Sequence, residues 1–226
     1  TTWLPDGTLI KGANETVYLL ENGAKRPITS WEALLSCHYN GNLVVNASDS
    51  LIETYPTGVD LPFCDGALVK GTSATVYLIQ NGTRRAFCSG DAFLAMHYAW
   101  DSILNVPNHV LAAIPEGEVI CDPVPATHPN GTLLKTANDA TVYVLEAGKK
   151  RPFSDPAVLK TWRTDAPLTV SAAELSGYQT GTVMTFRDGT LLKGSSAAVY
   201  VMEHGKRRVF STATDFEAFG FDFADV

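Results

Sequence analysis

Alternating apolar and polar positions recur in four near-copies of one phrase: Thr16–Ile28 (TVYLLENGAKRPI), Thr75–Phe87 (TVYLIQNGTRRAF), Thr141–Phe153 (TVYVLEAGKKRPF) and Ala198–Phe210 (AVYVMEHGKRRVF). Each copy predicts two short strands around a two-residue turn ending in glycine. In the first copy a turn at Asn22-Gly23 sets Leu20 opposite Lys25, Leu19 opposite Arg26 and Val17 opposite Ile28. Val17, Leu19 and Ile28 then share one sheet face and Tyr18 and Leu20 the other, so both faces require cover.

The flanking pattern repeats as well. Before each hairpin stands a turn and a short strand: Asp6–Lys11 (DGTLIK), Asp65–Lys70 (DGALVK), Asn130–Lys135 (NGTLLK) and Asp188–Lys193 (DGTLLK). After it the apolar spacing turns helical over Ser30–Tyr39, Ser89–Tyr98, Ser154–Trp162 and Ser211–Phe219, each with a serine start. The buried stripe of these helices is expected at Leu34 and Cys37, Phe93 and Met96, Leu159 and Trp162, and Phe216 and Phe219. A returning strand follows in the first three copies and leads to Tyr55–Gly58, Ile114–Gly117 and Tyr178–Gly181.

Successive repeat tyrosines, Tyr18, Tyr77, Tyr143 and Tyr200, are 59, 66 and 57 residues apart, the long interval being due to a proline-rich insert at Asp122–Pro129 (DPVPATHP). The chain therefore reads as one repeat domain, with repeats at about 6–64, 65–129, 130–187 and 188–226. Residues 1–5 resemble the run that precedes the second repeat, while the fourth repeat stops before its returning strand. That offset suggests closure of the last unit by the first residues. The expected fold is mainly β: a four-bladed β-propeller with one short helix per blade, the alternative being an open ββα solenoid.

Composition narrows the function. A formal charge of -7 argues against nucleic acid or an anionic membrane surface as the main partner. No apolar run reaches the length of a bilayer span, and the first residues do not read as a signal peptide, so no membrane insertion is expected. The cysteines, Cys37, Cys64, Cys88 and Cys121, lack C-x-x-C spacing. In an exported protein the expected pairs are Cys37–Cys64 and Cys88–Cys121, each closing within one repeat; free buried thiols are the alternative.

The DGTLxK…TVYLxENGxKRPF phrases resemble short repeats of secreted or cell-wall-associated bacterial proteins, often found beside hydrolase or amidase domains. The resemblance spans all four repeats and implies an extracellular accessory module. The four-unit plan is also similar to hemopexin-type propellers, a likeness of fold alone.

No linear catalytic motif or cofactor fingerprint is present. The expected activity is binding of a polysaccharide or an extracellular protein, without chemistry of its own. The alternatives are a hydrolase or lyase with its site at one end of a ring, or a proteinase inhibitor. An enzyme should show one repeat that breaks the pattern with chemically competent groups, and the insert with His128 is the main such irregularity. Arg26, Arg85, Arg151 and Arg208 form the strongest polar signal, able to meet anionic groups of a glycan from several repeats. Their structural reading, a cross-strand pair with Glu21, Gln80, Glu146 or Glu203, is preferred.

Lys11, Lys70, Lys135 and Lys193 read as strand-edge cover. His38, His97, His109, His128 and His204 read as surface or capping residues, not a metal site. Trp3, Trp31, Trp100 and Trp162 are sugar-stacking candidates, with core packing preferred. Asn14, Asn46, Asn81 and Asn130 head N-x-S/T sequons.

Overall fold

The computed structural model describes residues 3–121 and 128–226. The first repeat forms β1 (Leu9–Lys11), β2 (Val17–Glu21), β3 (Ala24–Pro27), helix α1 (Trp31–Ser36), β4 (Val44–Asn46) and helix α2 (Asp49–Ile52). The second repeats this as β5 (Leu68–Lys70), β6 (Val76–Gln80), β7 (Thr83–Ala86), α3 (Gly90–Ala95), β8 (Leu104–Asn105) and α4 (Asn108–Ala113). The third has β9 (Leu133–Thr136), β10 (Tyr143–Glu146), β11 (Lys149–Pro152), α5 (Pro156–Trp162), β12 (Leu168–Val170), α6 (Ala172–Ser176) and β13 (Gln179–Thr180). The fourth has β14 (Leu191–Lys193), β15 (Val199–Glu203), β16 (Lys206–Val209) and α7 (Ala213–Ala218).

The hairpin register is the one the alternation predicts, with Leu19 opposite Arg26 and Leu20 opposite Lys25, and its tip residues take the positive φ that a tight x-Gly turn requires. The opening turn is tied to its own hairpin. Gly7, Gly66, Gly131 and Gly189 donate their N–H to Leu20, Ile79, Leu145 and Met202, while the side chains of Asp6, Asn130 and Asp188 accept from the hairpin tips. Asp-Gly or Asn-Gly therefore works twice, as a turn and as a cap on the hairpin sixteen to eighteen residues on.

The first helices are capped by Ser30, Ser89, Asp155 and Thr212, each four residues after the repeat arginine. Ser154 and Ser211, expected as the starts, lie one residue before the caps. Leu34 with Cys37, Phe93 with Met96, and Phe216 are buried as expected, but in the third repeat Val158 is buried in place of Leu159.

The return segment differs from a single strand. β4, β8 and β12 pair parallel with the opening strand, a helix of four to six residues follows, and a second short stretch pairs parallel with the outer hairpin strand. The small helices are positioned by polar side chains at their starts: Asp49 Oδ1 accepts from Ala13 N and Asn108 Oδ1 from Thr72 N.

The propeller expectation is not met. The four repeats form four separate sheets, ordered β3-β2-β1-β4, β7-β6-β5-β8, β12-β9-β10-β11-β13 and β14-β15-β16. No ring closes them among the described residues. Trp3, Leu4 and Pro5 add no strand to the fourth sheet; Leu4 is buried in the first repeat's core with Ile10, Leu20, Val45, Ile52 and Tyr55, and gives its N–H to the Tyr55 hydroxyl.

The chain divides into two compact units, residues 1–62 with 185–226, and 63–184. Within each unit the opening turns of two repeats meet backbone to backbone. A Cβ on Gly7 would lie 2.0 Å from the Asp188 carbonyl oxygen, and one on Gly131 would lie 2.1 Å from that of Asp65. Repeats one and four therefore form one unit, and two and three the other. In the first unit Arg187 also lies over the Tyr39 ring and donates to the Cys37 and His38 carbonyls. In the second, Phe87, Phe93 and Tyr98 form an aromatic cluster.

Candidate functional site

The four repeat arginines are engaged within their own sheets. Arg26, Arg85, Arg151 and Arg208 each donate through Nη1 across the hairpin to Glu21, Gln80, Glu146 and Glu203. In the first three repeats Nε also donates to a carbonyl of the outer return stretch, at Val59, Glu118 or Thr182. The preceding residue, Lys25, Arg84, Lys150 or Arg207, lies over the repeat tyrosine at 5.3–5.8 Å. These groups hold the hairpin to its neighbours.

Cys37 and Cys64 are disulfide-bonded. Cys37 sits at the C-cap of α1 and its Sγ lies 3.6 Å from the Pro62 carbonyl oxygen, beside the run that leads to Cys64. The second expected bridge, Cys88–Cys121, is not formed, because Cys88 carries an exposed free thiol. Phe87 faces the core, and strand alternation turns the next residue to solvent. Iodoacetamide without reductant is expected to label Cys88 and to leave Cys37 and Cys64 joined in one tryptic species. Label on Cys37 or Cys64 would refute that assignment.

Asn14, Asn46 and Asn81 are exposed, whereas the Asn130 side chain is occupied with the hairpin tip at Gly148. His38 and His97 follow their helices at φ 57° and 62° and close the C-termini through N–H donation to Leu35 and Leu94. His204 Nε2 lies 3.1 Å from the Asp6 carboxylate. Residues 122–127 of the proline-rich insert lie outside the described residues, but His128 does not, and it departs from the other copies.

Two residues before each opening glycine-turn pair stand Leu4, Phe63 and Phe186 in the other repeats, and His128 in the third. On the small return helix Leu51 and Val110 correspond to Glu174. The two polar exceptions meet: His128 Nε2 is 3.2 Å from Glu174 Oε1, with side chains only 3% and 10% exposed. His97 Nε2 lies 4.0 Å from the other carboxylate oxygen. Tyr178 accepts the His128 N–H, just as Tyr55 accepts that of Leu4, so the backbone frame is unchanged and only the side-chain chemistry differs.

Burial lowers the His128 pKa below its ordinary value, against the opposing pull of Glu174. His128 Nδ1 is buried without a hydrogen-bond partner among the described residues, and burial pushes the Tyr98 phenol well above its usual range, against the opposing effect of the neighbouring Thr132 hydroxyl. The pair is largely enclosed. No group of three His, Cys, Asp or Glu side chains in ligand geometry occurs among the described residues.

Three of the four tryptophans depart from the expectation of core packing, while Trp162 is partly buried. Trp3, Trp31 and Trp100 are 40%, 52% and 52% exposed. Trp31 lies against Gly41, where a Cβ would be 1.9 Å from the ring, and Trp100 lies beside Gly90. These are the same two positions with the residues exchanged, five and fifteen after the repeat arginine. In the fourth repeat they are Ala213 and Phe223. Trp100 stacks on Phe93 at 4.2 Å and Phe223 on Phe216 at 4.3 Å, so one ring face is covered and the other is open. The exchange was present in the sequence as a Trp–Gly to Gly–Trp swap.

No family model matches the chain. It is 22% identical over 187 residues to Protein CgeD of Bacillus subtilis (strain 168), covering 79% of this chain and 41% of that protein. The chain thus spans about two fifths of the curated relative's length. Two solved structures share it as a distant likeness. The periplasmic assembly from the ESX-5 inner membrane complex has a TM-score of 0.21 and 13% identity, covering 95% of this chain and 74% of that one. The intact ESX-5 inner membrane complex has a TM-score of 0.22 and 11% identity, covering 95% and 64%.

Proposed function

We propose that the chain is a binding module working outside the reducing interior, at the cell surface or in secretion, and that it takes a polysaccharide on half-exposed aromatic platforms. The disulfide fits an extracellular or envelope location, and no described helix is long and apolar enough to cross a membrane. The observation that carries the ligand class is the aromatic slot of the outer helix. Three repeats fill it, from two sequence positions, with Trp31, Trp100 and Phe223, and each leaves 47–52% of the residue exposed. A flat ring backed by a second ring or a glycine is a rigid apolar surface. It suits the C–H face of a pyranose at little cost in side-chain entropy.

Engagement of the arginines within their sheets speaks against them as the recognition groups. Enclosure of His128 and Glu174 speaks against that pair as an acid–base couple.

Affinity electrophoresis in soluble β-glucan, chitin oligosaccharide and peptidoglycan-fragment gels tests the reading. One of these glycans is expected to retard the protein, Trp100→Ala to weaken binding about tenfold, or about 1.4 kcal/mol, with unchanged circular dichroism, and Arg26→Ala to lower the melting temperature while leaving binding intact. The reading fails if no glycan retards the chain, or if the tryptophan variants migrate like the parent.

A further inference from the structure

Asn-Gly steps stand at Asn22, Asn40, Asn81 and Asn130, and the fold holds all but one of them in place. Asn22 N and Gly23 N donate to the Asp6 carboxylate at 2.7 and 3.1 Å, and the Trp3 ring stands 3.6 Å from where a Cβ on Gly23 would lie. Asn40 Oδ1 accepts from Asn42 N at 3.0 Å, and Gly41 is packed under the Trp31 ring, 1.9 Å from its Cβ position. Gly131 N donates to the Leu145 carbonyl at 2.7 Å, Asn130 Oδ1 accepts from Gly148 N, and the Asp65 backbone closes over the glycine.

Asn81-Gly82, at the hairpin tip of the second repeat, is the exception. Both residues are exposed, and no heavy atom lies within 4 Å of a Cβ on Gly82. Asp65 stands in sequence where Asp6 stands in the first repeat, yet among the described residues neither Asn81 N nor Gly82 N donates to it. The tip is tied only at its base, where Gln80 and Thr83 are register partners and the Thr83 hydroxyl donates to the Gln80 carbonyl.

We propose that Asn81 is a site of spontaneous covalent modification, converting through a cyclic imide to isoaspartate and aspartate ahead of the other Asn-Gly steps. The main-chain nitrogen of Gly82 attacks Cγ of Asn81. A new N–Cγ bond replaces the Cγ–Nδ2 bond, and the side-chain nitrogen leaves as ammonia with the proton that Gly82 gives up. Water then opens the imide: cleavage at Cγ leaves aspartate, and cleavage at the main-chain carbonyl leaves isoaspartate, in which the chain runs through Cβ. Asn81 has φ 52°, so attack requires the tip to turn out of the left-handed conformation. Glycine has no Cβ to resist that rotation, and nothing packs on Gly82 to oppose it. Either product puts a negative charge on the tip, and isoaspartate also lengthens the main chain between Gln80 and Thr83. A lengthened tip does not fit a two-residue turn, so conversion loosens this hairpin.

The full chain, made in a host that does not N-glycosylate, is incubated in mildly alkaline buffer and its four Asn-Gly peptides are followed by mass spectrometry, with electron-transfer fragmentation to tell isoaspartate from aspartate. The Asn81 peptide is expected to convert at least about tenfold faster than those of Asn22, Asn40 and Asn130, whose hydrogen bonds and packing must first be broken. Hydroxylamine, which cuts the imide, should release fragments 1–81 and 82–226. In concentrated urea the four rates should converge. An unmodified Asn81, or another Asn-Gly step that keeps pace with it in the folded chain, overturns the proposal. So does an order of rates that survives in urea, since neighbouring residues and not the fold would then select the site.

Discussion

Gly131→Ala is expected to lower folding stability by about 3 kcal/mol or more, and Gly148→Ala by only about 1 kcal/mol. Both glycines have φ in the left-handed region, +84° and +72°, so both substitutions carry the same backbone strain. They differ in surroundings. Nothing lies within 4 Å of a Cβ at Gly148, whereas at Gly131 the added carbon meets the Asp65 backbone of the facing turn. A backbone carbonyl cannot rotate away as a side chain can, so the two turns must separate. That separation strains the Gly131 N–H bond to Leu145 and the Asn130 cap on Gly148. In a chain of this size the difference corresponds to a melting temperature roughly 4–8 °C lower for Gly131→Ala than for Gly148→Ala. Equal melting temperatures would show that the turn-to-turn packing is not a stabilising contact.

This contrast marks where the sequence stops being informative. Everything within a hairpin was legible, because it depends on residues a few positions apart: the register, the Arg26–Glu21 type of pair and the x-Gly tips follow from alternation and turn chemistry. The pairing of turns depends on residues more than sixty positions apart, such as Asp65 and Gly131, and no local pattern records it. The propeller expectation failed at this level. An offset repeat is compatible with ring closure, but Leu4 has a local alternative, burial with Tyr55 and Ile52 in its own repeat, and that contact is made instead. The small helices α2, α4 and α6 were missed because runs of four to six residues show too little periodicity to separate from a bent strand. The His128–Glu174 pair left a signal: two positions, apolar in the other repeats that have them, become polar together in one.

That substitution leads to the second large effect. Glu174→Leu is expected to cost about 2–3 kcal/mol, because the His128 Nε2–H loses its acceptor in a site that admits little water. The double variant His128→Leu, Glu174→Leu reproduces the Leu4 and Leu51 combination of the first repeat and is expected to recover to within about 1 kcal/mol of the parent, since paired polar groups and well-packed apolar ones are near-equivalent in a core. The coupling energy from the cycle is therefore expected to be about 2 kcal/mol, and additive single effects would count against the pairing. Acidity supplies an independent check. The folded His128 binds its proton at lower pH than the unfolded chain does, because burial outweighs the attraction of Glu174. Stability contributed by the neutral ring is thus present above the ordinary histidine value of about 6.5 and drains as pH falls from there toward the lowered folded value. Melting temperatures measured from pH 8 to pH 5 should fall more steeply for the parent than for the double leucine variant. Parallel curves would mean that His128 takes up its proton without penalty, and that burial does not hold its ring in the neutral form.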